Sequence, residues 1–194
     1  MFKKLLIMIF TVTILLLSNS KSHAAEEDIW ITVGYNYFLH EDSNYGSPMG
    51  PASLTVGTQV SDYIAFDINL AYYWGMKGKY VVPGKSLKTE LSSFQGKFLF
   101  LFHPKFDLIT FDLAPYIGIG PMVGAGNFSY TSNEFVYGFS AKAGLRFIEK
   151  GFLFGINFEY LYNHIENIKN PYDGSKSDFN ASGFLFGAEI GYAF

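Results

Sequence analysis

The chain has 194 residues, no cysteine, a formal charge of −3, and 19% aromatic residues against 16% charged ones. Without cysteine there is no disulfide framework, thiolate metal site, cysteine nucleophile or lipidated cysteine. The charged fraction is below the roughly 25% usual in soluble domains, and abundant Phe, Tyr and Gly favour strands in one domain.

Residues 1–25 read as a secretory signal that is cleaved. Lys3 and Lys4 give the charged start, Leu5 to Leu17 the apolar run, and Ser22-His23-Ala24 the small-residue cleavage site. The apolar run is shorter than the roughly 20 residues a membrane helix needs. Removing Lys3, Lys4 and Lys21 takes the formal charge from −3 to −6. A mildly acidic mature chain, 26–194, argues against nucleic acid as a partner.

The mature chain alternates. Ile29, Ile31, Val33, Tyr35 and Tyr37 share one face of a first strand, and Trp30, Thr32, Gly34, Asn36 and Phe38 share the other. A polar loop near 39–50 leads to a second strand, Ala52 to Val60, and Ser61-Asp62 turns the chain into a third. There Ile64, Phe66, Ile68, Leu70, Tyr72 and Trp74 oppose Ala65, Asp67, Asn69, Ala71 and Tyr73. A lysine-rich loop is expected over about 75–89. Strand four sets Phe94, Phe98, Phe100 and Phe102 against Gln95, Lys97 and Leu99, and His103-Pro104-Lys105 begins a short turn.

Strand five begins at Phe111 and carries Ile117 and Ile119 opposite Asp112, Tyr116 and Gly118. Strand six opposes Phe139, Ala141, Leu145 and Phe147 to Lys142, Gly144 and Arg146; Glu149-Lys150 turns it into strand seven, with Phe154, Ile156 and Phe158 opposite Asn157 and Glu159. The last strand, Ala181 to Phe194, carries Phe184, Phe186, Ile190, Tyr192 and Phe194 on one face and glycines with Glu189 on the other. Pro115 and Pro121, of one parity, each remove a ladder hydrogen bond toward the same neighbouring strand.

The pattern predicts an all-β fold, an eight-stranded antiparallel up-and-down transmembrane β-barrel. An aromatic stripe at an open strand edge invites aggregation, whereas a closed barrel in lipid turns it to acyl chains. A soluble eight-stranded barrel would reverse the faces, with Lys, Glu and Asp outside; here the polar face is Gly, Ala, Ser, Thr and Asn with isolated charges, suited to a filled interior. Short connections alternate with longer ones near 39–50, 75–89, 126–134 and 164–180, as in outer-membrane barrels with short periplasmic turns, which places both termini in the periplasm. Phe102, Phe111, Phe147, Phe152 and Phe194 form a candidate inner girdle, and Tyr35, Tyr37, Tyr72, Trp74, Tyr160 and Tyr162 an outer one.

With its signal sequence, eight alternating strands, the PYIGIGPMVGAG glycine pattern at 115–126 and the terminal Gly191-Tyr192-Ala193-Phe194, the chain resembles the small outer-membrane barrel families grouped around outer membrane proteins A and X. The resemblance covers the mature chain and implies residence in the bacterial outer membrane, among its lipid and lipopolysaccharide. It also implies that the barrel-insertion machinery reads Tyr192 and Phe194. No peptidoglycan-binding domain is expected after the barrel, unlike in the longer members.

The inward charges are Asp67, Asp112, Glu159 and Glu189 against Lys97, Lys142 and Arg146. Buried charges need partners, and the only arginine offers a planar fork of five donors. These seven are expected to form a lumen charge network that plugs a monomeric barrel. The alternative is a small-solute or ion channel. Counting from a Glu149-Lys150 turn puts Lys142 opposite Asn157 and diagonal to Glu159. His40 and His164, near Glu41, Asp42 and Glu166, lack metal-ligand spacing, so neither metal nor cofactor is expected.

Some eight-stranded barrels act on lipid A; no His-x-Ser motif matches the deacylase type, and His40 with Asp42-Ser43 is a weak match to the acyltransferase type. No enzyme is expected. Lys77, Lys79, Lys85 and Lys88 form a cationic loop cluster for lipopolysaccharide phosphates or an acidic host polymer. The expected work is therefore envelope integrity or surface adhesion through loops.

Overall fold

The computed structural model describes residues 29–40, 49–82, 85–128, 131–169, 174, 176–180 and 182–194. The expected signal segment lies outside them. The described residues form ten strands: β1 (Ile29–His40), β2 (Met49–Ser61), β3 (Ile64–Val82), β4 (Lys85–Phe102), β5 (Phe106–Asp107), β6 (Asp112–Phe128), β7 (Thr131–Glu149), β8 (Phe152–Lys169), β9 (Lys176–Asn180) and β10 (Gly183–Ala193). β9 and β10 together make one stave broken near Ser182, and β5 is a short pairing on β6. Eight antiparallel staves result, and β10 pairs with both β8 and β1, so the sheet closes. Closure leaves no open edge between first and last staves, from Trp30 opposite Ala193 to His40 opposite Gly183.

The two faces are those the alternation predicts. Val33, Tyr35, Phe100, Ile117, Ile119, Phe154, Phe186 and Ile190 point outward and are exposed, Ile117 to 62%. A contiguous belt of this kind far exceeds the apolar patch a soluble monomer shows and is stable against hydrocarbon. Inside, Asp67, Lys97, Lys142, Arg146, Glu159 and Glu189 are all buried.

The stretch expected as a lysine-rich loop is strand. β3 and β4 pair from Met76 opposite Leu91 to Val82 opposite Lys85, beyond an irregularity after Tyr73. Likewise β6 and β7 run on to Phe128 and Thr131, and β8 reaches Lys169. Strands of 17 to 19 residues overrun the roughly 9–11 a bilayer requires, so these hairpins stand above the belt. In water they need no apolar stripe, which is why the pattern there reads as loop.

The prolines cause no bulge. β4 and β6 keep one register on both sides of Pro121, from Lys97 opposite Met122 to Phe100 opposite Ile119, and merely omit the pairs between. Pro115 lies past the end of β4 at Phe102, where no β4 residue awaits a donor. Toward β7 both prolines stay in register, opposite Leu145 and Phe139.

Candidate functional site

Glycine makes the interior possible. Trp30 on β1, Gly57 on β2 and Asp67 on β3 sit side by side across the sheet. A Cβ on Gly57 would lie 2.1 Å from the Trp30 Nε1 and 2.2 Å from Asp67. With none there, the indole N–H crosses the glycine and donates to Asp67 Oδ1 at 2.9 Å. Gly155 plays the same part between Arg146 and Glu189, and Arg146 Nε donates across it to Glu189 Oε1 at 2.8 Å.

Arg146 is therefore a hub. Its Nη2 also donates to Asp67 Oδ2 at 2.8 Å, and its guanidinium lies between the Trp30 and Tyr116 rings, 4.8 and 4.5 Å from their centroids. Donating to two carboxylates at once while facing two aromatic rings is what a planar fork of donors does and an ammonium does not. Glu189 further accepts from Lys142 at 3.5 Å and from the Thr32 hydroxyl at 3.3 Å.

Nearer the long hairpins lies a second group. Lys97 Nζ meets Glu159 Oε1 at 2.6 Å, and the Ser140 hydroxyl donates to the same oxygen at 2.7 Å. Lys142 stands directly opposite Glu159 on the neighbouring strand, rather than opposite Asn157 as counted from sequence, yet its ammonium turns to Glu189. The difference of two residues comes from the turn. It is formed by Lys150 and Gly151, both at positive φ (50° and 83°), so Glu149 pairs with Phe152. Two positive-φ central residues are the type I′ hairpin signature.

Three cations and three carboxylates thus balance. Asp112, the seventh residue of the expected network, is half-buried at the short-turn rim, paired with Ile148 and Asp107 and apart from the cluster. Buried apolar side chains lie on both sides of the charged middle. Toward the short turns lie Ala65, Leu99, Leu101, Ile148, Leu153 and Ala193 with the Trp30 and Tyr116 rings. Toward the hairpins lie Phe38, Tyr73, Met122, Val136, Leu161 and Leu185.

One buried interior residue lies outside the expected set. His103, expected in a turn, is fully buried at the floor, its Nδ1 2.7 Å from Gln59 Oε1 and its ring between Trp30 and Tyr116. Burial lowers its pKa to about 3, with the Arg146 and Lys105 charges acting in the same direction, so the ring is neutral at physiological pH. Nothing in the local sequence marks it. Its position follows only once β2, β4 and β6 are in register.

At the short-turn end Phe194 donates its backbone N–H to the Ile29 carbonyl at 2.7 Å, and its ring, 60% exposed, lies 5.0 Å from that of Tyr192. His164 packs edge-on to Tyr137, whose hydroxyl donates to Glu166; the side chains of His40, Glu41 and Asp42 lie outside the described residues. The register sets Lys79 opposite Lys88, Lys77 opposite Glu90 and Lys85 opposite Val82.

No family model matches the chain, and no curated protein matches it in sequence. Solved structures do. The outer membrane protein OprG of Pseudomonas aeruginosa is similar with a TM-score of 0.64 at 15% identity, over 87% of this chain and 96% of that one. Neisserial surface protein A, NspA, gives 0.55 at 15% identity, over 89% and 100%. The N-terminal β-barrel domain of Pseudomonas aeruginosa OprF gives 0.50 at 14%, over 88% and 100%. The likeness is one of fold, and the fold is that of the small outer-membrane β-barrels.

Proposed function

We propose that the chain is an integral outer-membrane barrel, monomeric and non-enzymatic, with both termini periplasmic, that acts through its surfaces and not through its lumen. The observation that carries this reading is the neutral six-charge cluster held between two apolar layers. A permeation path needs sites that ions enter and leave readily, whereas here each charge is already matched by a protein partner. Envelope integrity then rests on the belt, and surface binding on the tall hairpins. Lys79 and Lys88 share one register position, and like charges opposite each other on paired strands are unfavourable unless neutralised, which supports an acidic polysaccharide or lipopolysaccharide phosphate as partner for the group Lys77, Lys79, Lys85 and Lys88. Tyr192 and Phe194, at the closing seam, suit reading by the insertion machinery.

Planar-bilayer recording of purified protein that migrates as a heat-modifiable folded band tests the plug. The expected trace is silent; steady unitary conductance that disappears in Glu159→Gln would replace this reading with the channel. Whole-cell binding to a sulfated or phosphorylated polymer, with and without the four lysines changed to glutamine, tests the hairpins.

A further inference from the structure

The outer wall near the short turns is not smooth. A groove of about 690 Å³ runs across it, lined by Phe147, Phe152, Phe154 and Ile190 on neighbouring staves, by Phe111, and by one charged residue, Glu149. Its size is in the range of small-molecule sites. Phe111 reaches it from the β5–β6 hairpin, its ring 5.9 Å from that of Phe147. The hairpin therefore folds onto the lipid-facing wall. The same hairpin exposes Phe106, Leu108 and a fully exposed Ile109, side chains suited to a lipid interface rather than to water.

A polar turn adjoins the groove. Glu149 lines it, Lys150 follows in the tight turn and is exposed, and the Tyr192 hydroxyl lies against Gly151 of that turn. A carboxylate, an ammonium and a phenol hydroxyl beside an apolar trough complement a headgroup carrying both a primary ammonium and a phosphate.

We infer that this groove is a specific site for one phosphoethanolamine-headed phospholipid, its acyl chain along Phe147, Phe154 and Ile190, its ammonium on Glu149 and its phosphate toward Lys150 and Tyr192. The inference rests on the membrane reading above and goes beyond it, since annular lipid needs no headgroup preference.

The experiment uses the barrel in nanodiscs holding equal amounts of chain-matched phosphatidylethanolamine and phosphatidylglycerol, each sample checked for heat-modifiable migration and then released for native mass spectrometry. One retained phosphatidylethanolamine, favoured at least fivefold over phosphatidylglycerol, is expected. Glu149→Gln should abolish the preference; Phe147→Ala should cut retention of both lipids, while Val60→Ala, elsewhere on the belt, should change neither. Equal retention of the two lipids, preference for phosphatidylglycerol, or an unaltered preference in Glu149→Gln would overturn the site while leaving the barrel reading intact. Failure of folded protein to enter the discs would remove the membrane reading and the site together.

Discussion

The lumen holds two ionic groups of different construction. Around Arg146, one planar cation grips Asp67 and Glu189 at once, lies within 5 Å of two aromatic ring centroids, and reaches Glu189 over Gly155. Around Lys97, one ammonium meets one carboxylate, which also accepts from the Ser140 hydroxyl. The first ties together β1, β3, β7 and β10; the second joins β4 to β8. Charge pairs buried this deeply add little net stability relative to apolar packing, but losing one partner is costly. The two groups should therefore fail differently, since the hub has no single complementary change and the pair does.

The largest effect should come from the hub. Arg146→Met would leave Asp67 and Glu189 buried with only Lys142 to serve both. Breaking one buried pair costs about 3–5 kcal/mol, and here two break, so a loss near the top of that range is expected from urea titration of folding into lipid vesicles. Arg146→Lys should recover only part of it, because an ammonium lacks the fork. Recovery of full stability by Lys would show that charge alone, not geometry, matters at the hub.

The pair should behave as a pair. Glu159→Gln alone strands Lys97 and is expected to cost about 3 kcal/mol. Adding Lys97→Met removes the stranded charge and leaves two cations against two carboxylates in the lumen. The double variant should return to within about 1 kcal/mol of the parent, a coupling that a double-mutant cycle isolates. Additive losses would mean that the Lys97 and Arg146 groups share one electrostatic unit.

Much of this was legible in the residues. Strict alternation gave eight staves, the inward parity of all six clustered charges and the outward belt, because a period of two admits one assignment of faces. Partner identity was not legible, since it depends on register. The turn before β8 shows why: Lys150-Gly151, not Glu149-Lys150, occupies the central positions, and Gly151 was the available signal, as the residue that takes positive φ without strain. The hairpin extensions are not legible because their residues show no apolar period of two. The β9–β10 break lies where Ser182 accepts from the Asn163 N–H and donates toward Asn180, a local exchange of backbone for side-chain bonds that alternation does not encode.

The smallest expected effect separates the two groups by pH. His103 lies beneath the hub and faces Gln59, Trp30 and Tyr116, with the charges of Arg146, Lys105 and Glu189 acting on it. Its pKa in the folded barrel, about 3, lies below its ordinary 6.5, so on acidification the unfolded chain takes up the proton first. Stability contributed by the neutral ring is complete above about pH 6.5 and erodes as pH falls toward 3. Between pH 7 and pH 5 this amounts to about 1–2 kcal/mol by proton linkage. A proton forced onto the ring would place a fourth cation beside Arg146 and far less directly beside Lys97. His103→Gln should therefore flatten the dependence over pH 5–7, whereas the Lys97→Met and Glu159→Gln double variant should keep it unchanged. If the double variant flattened it instead, the acid sensitivity would belong to the hairpin-side pair, and the separation of the two groups would fail.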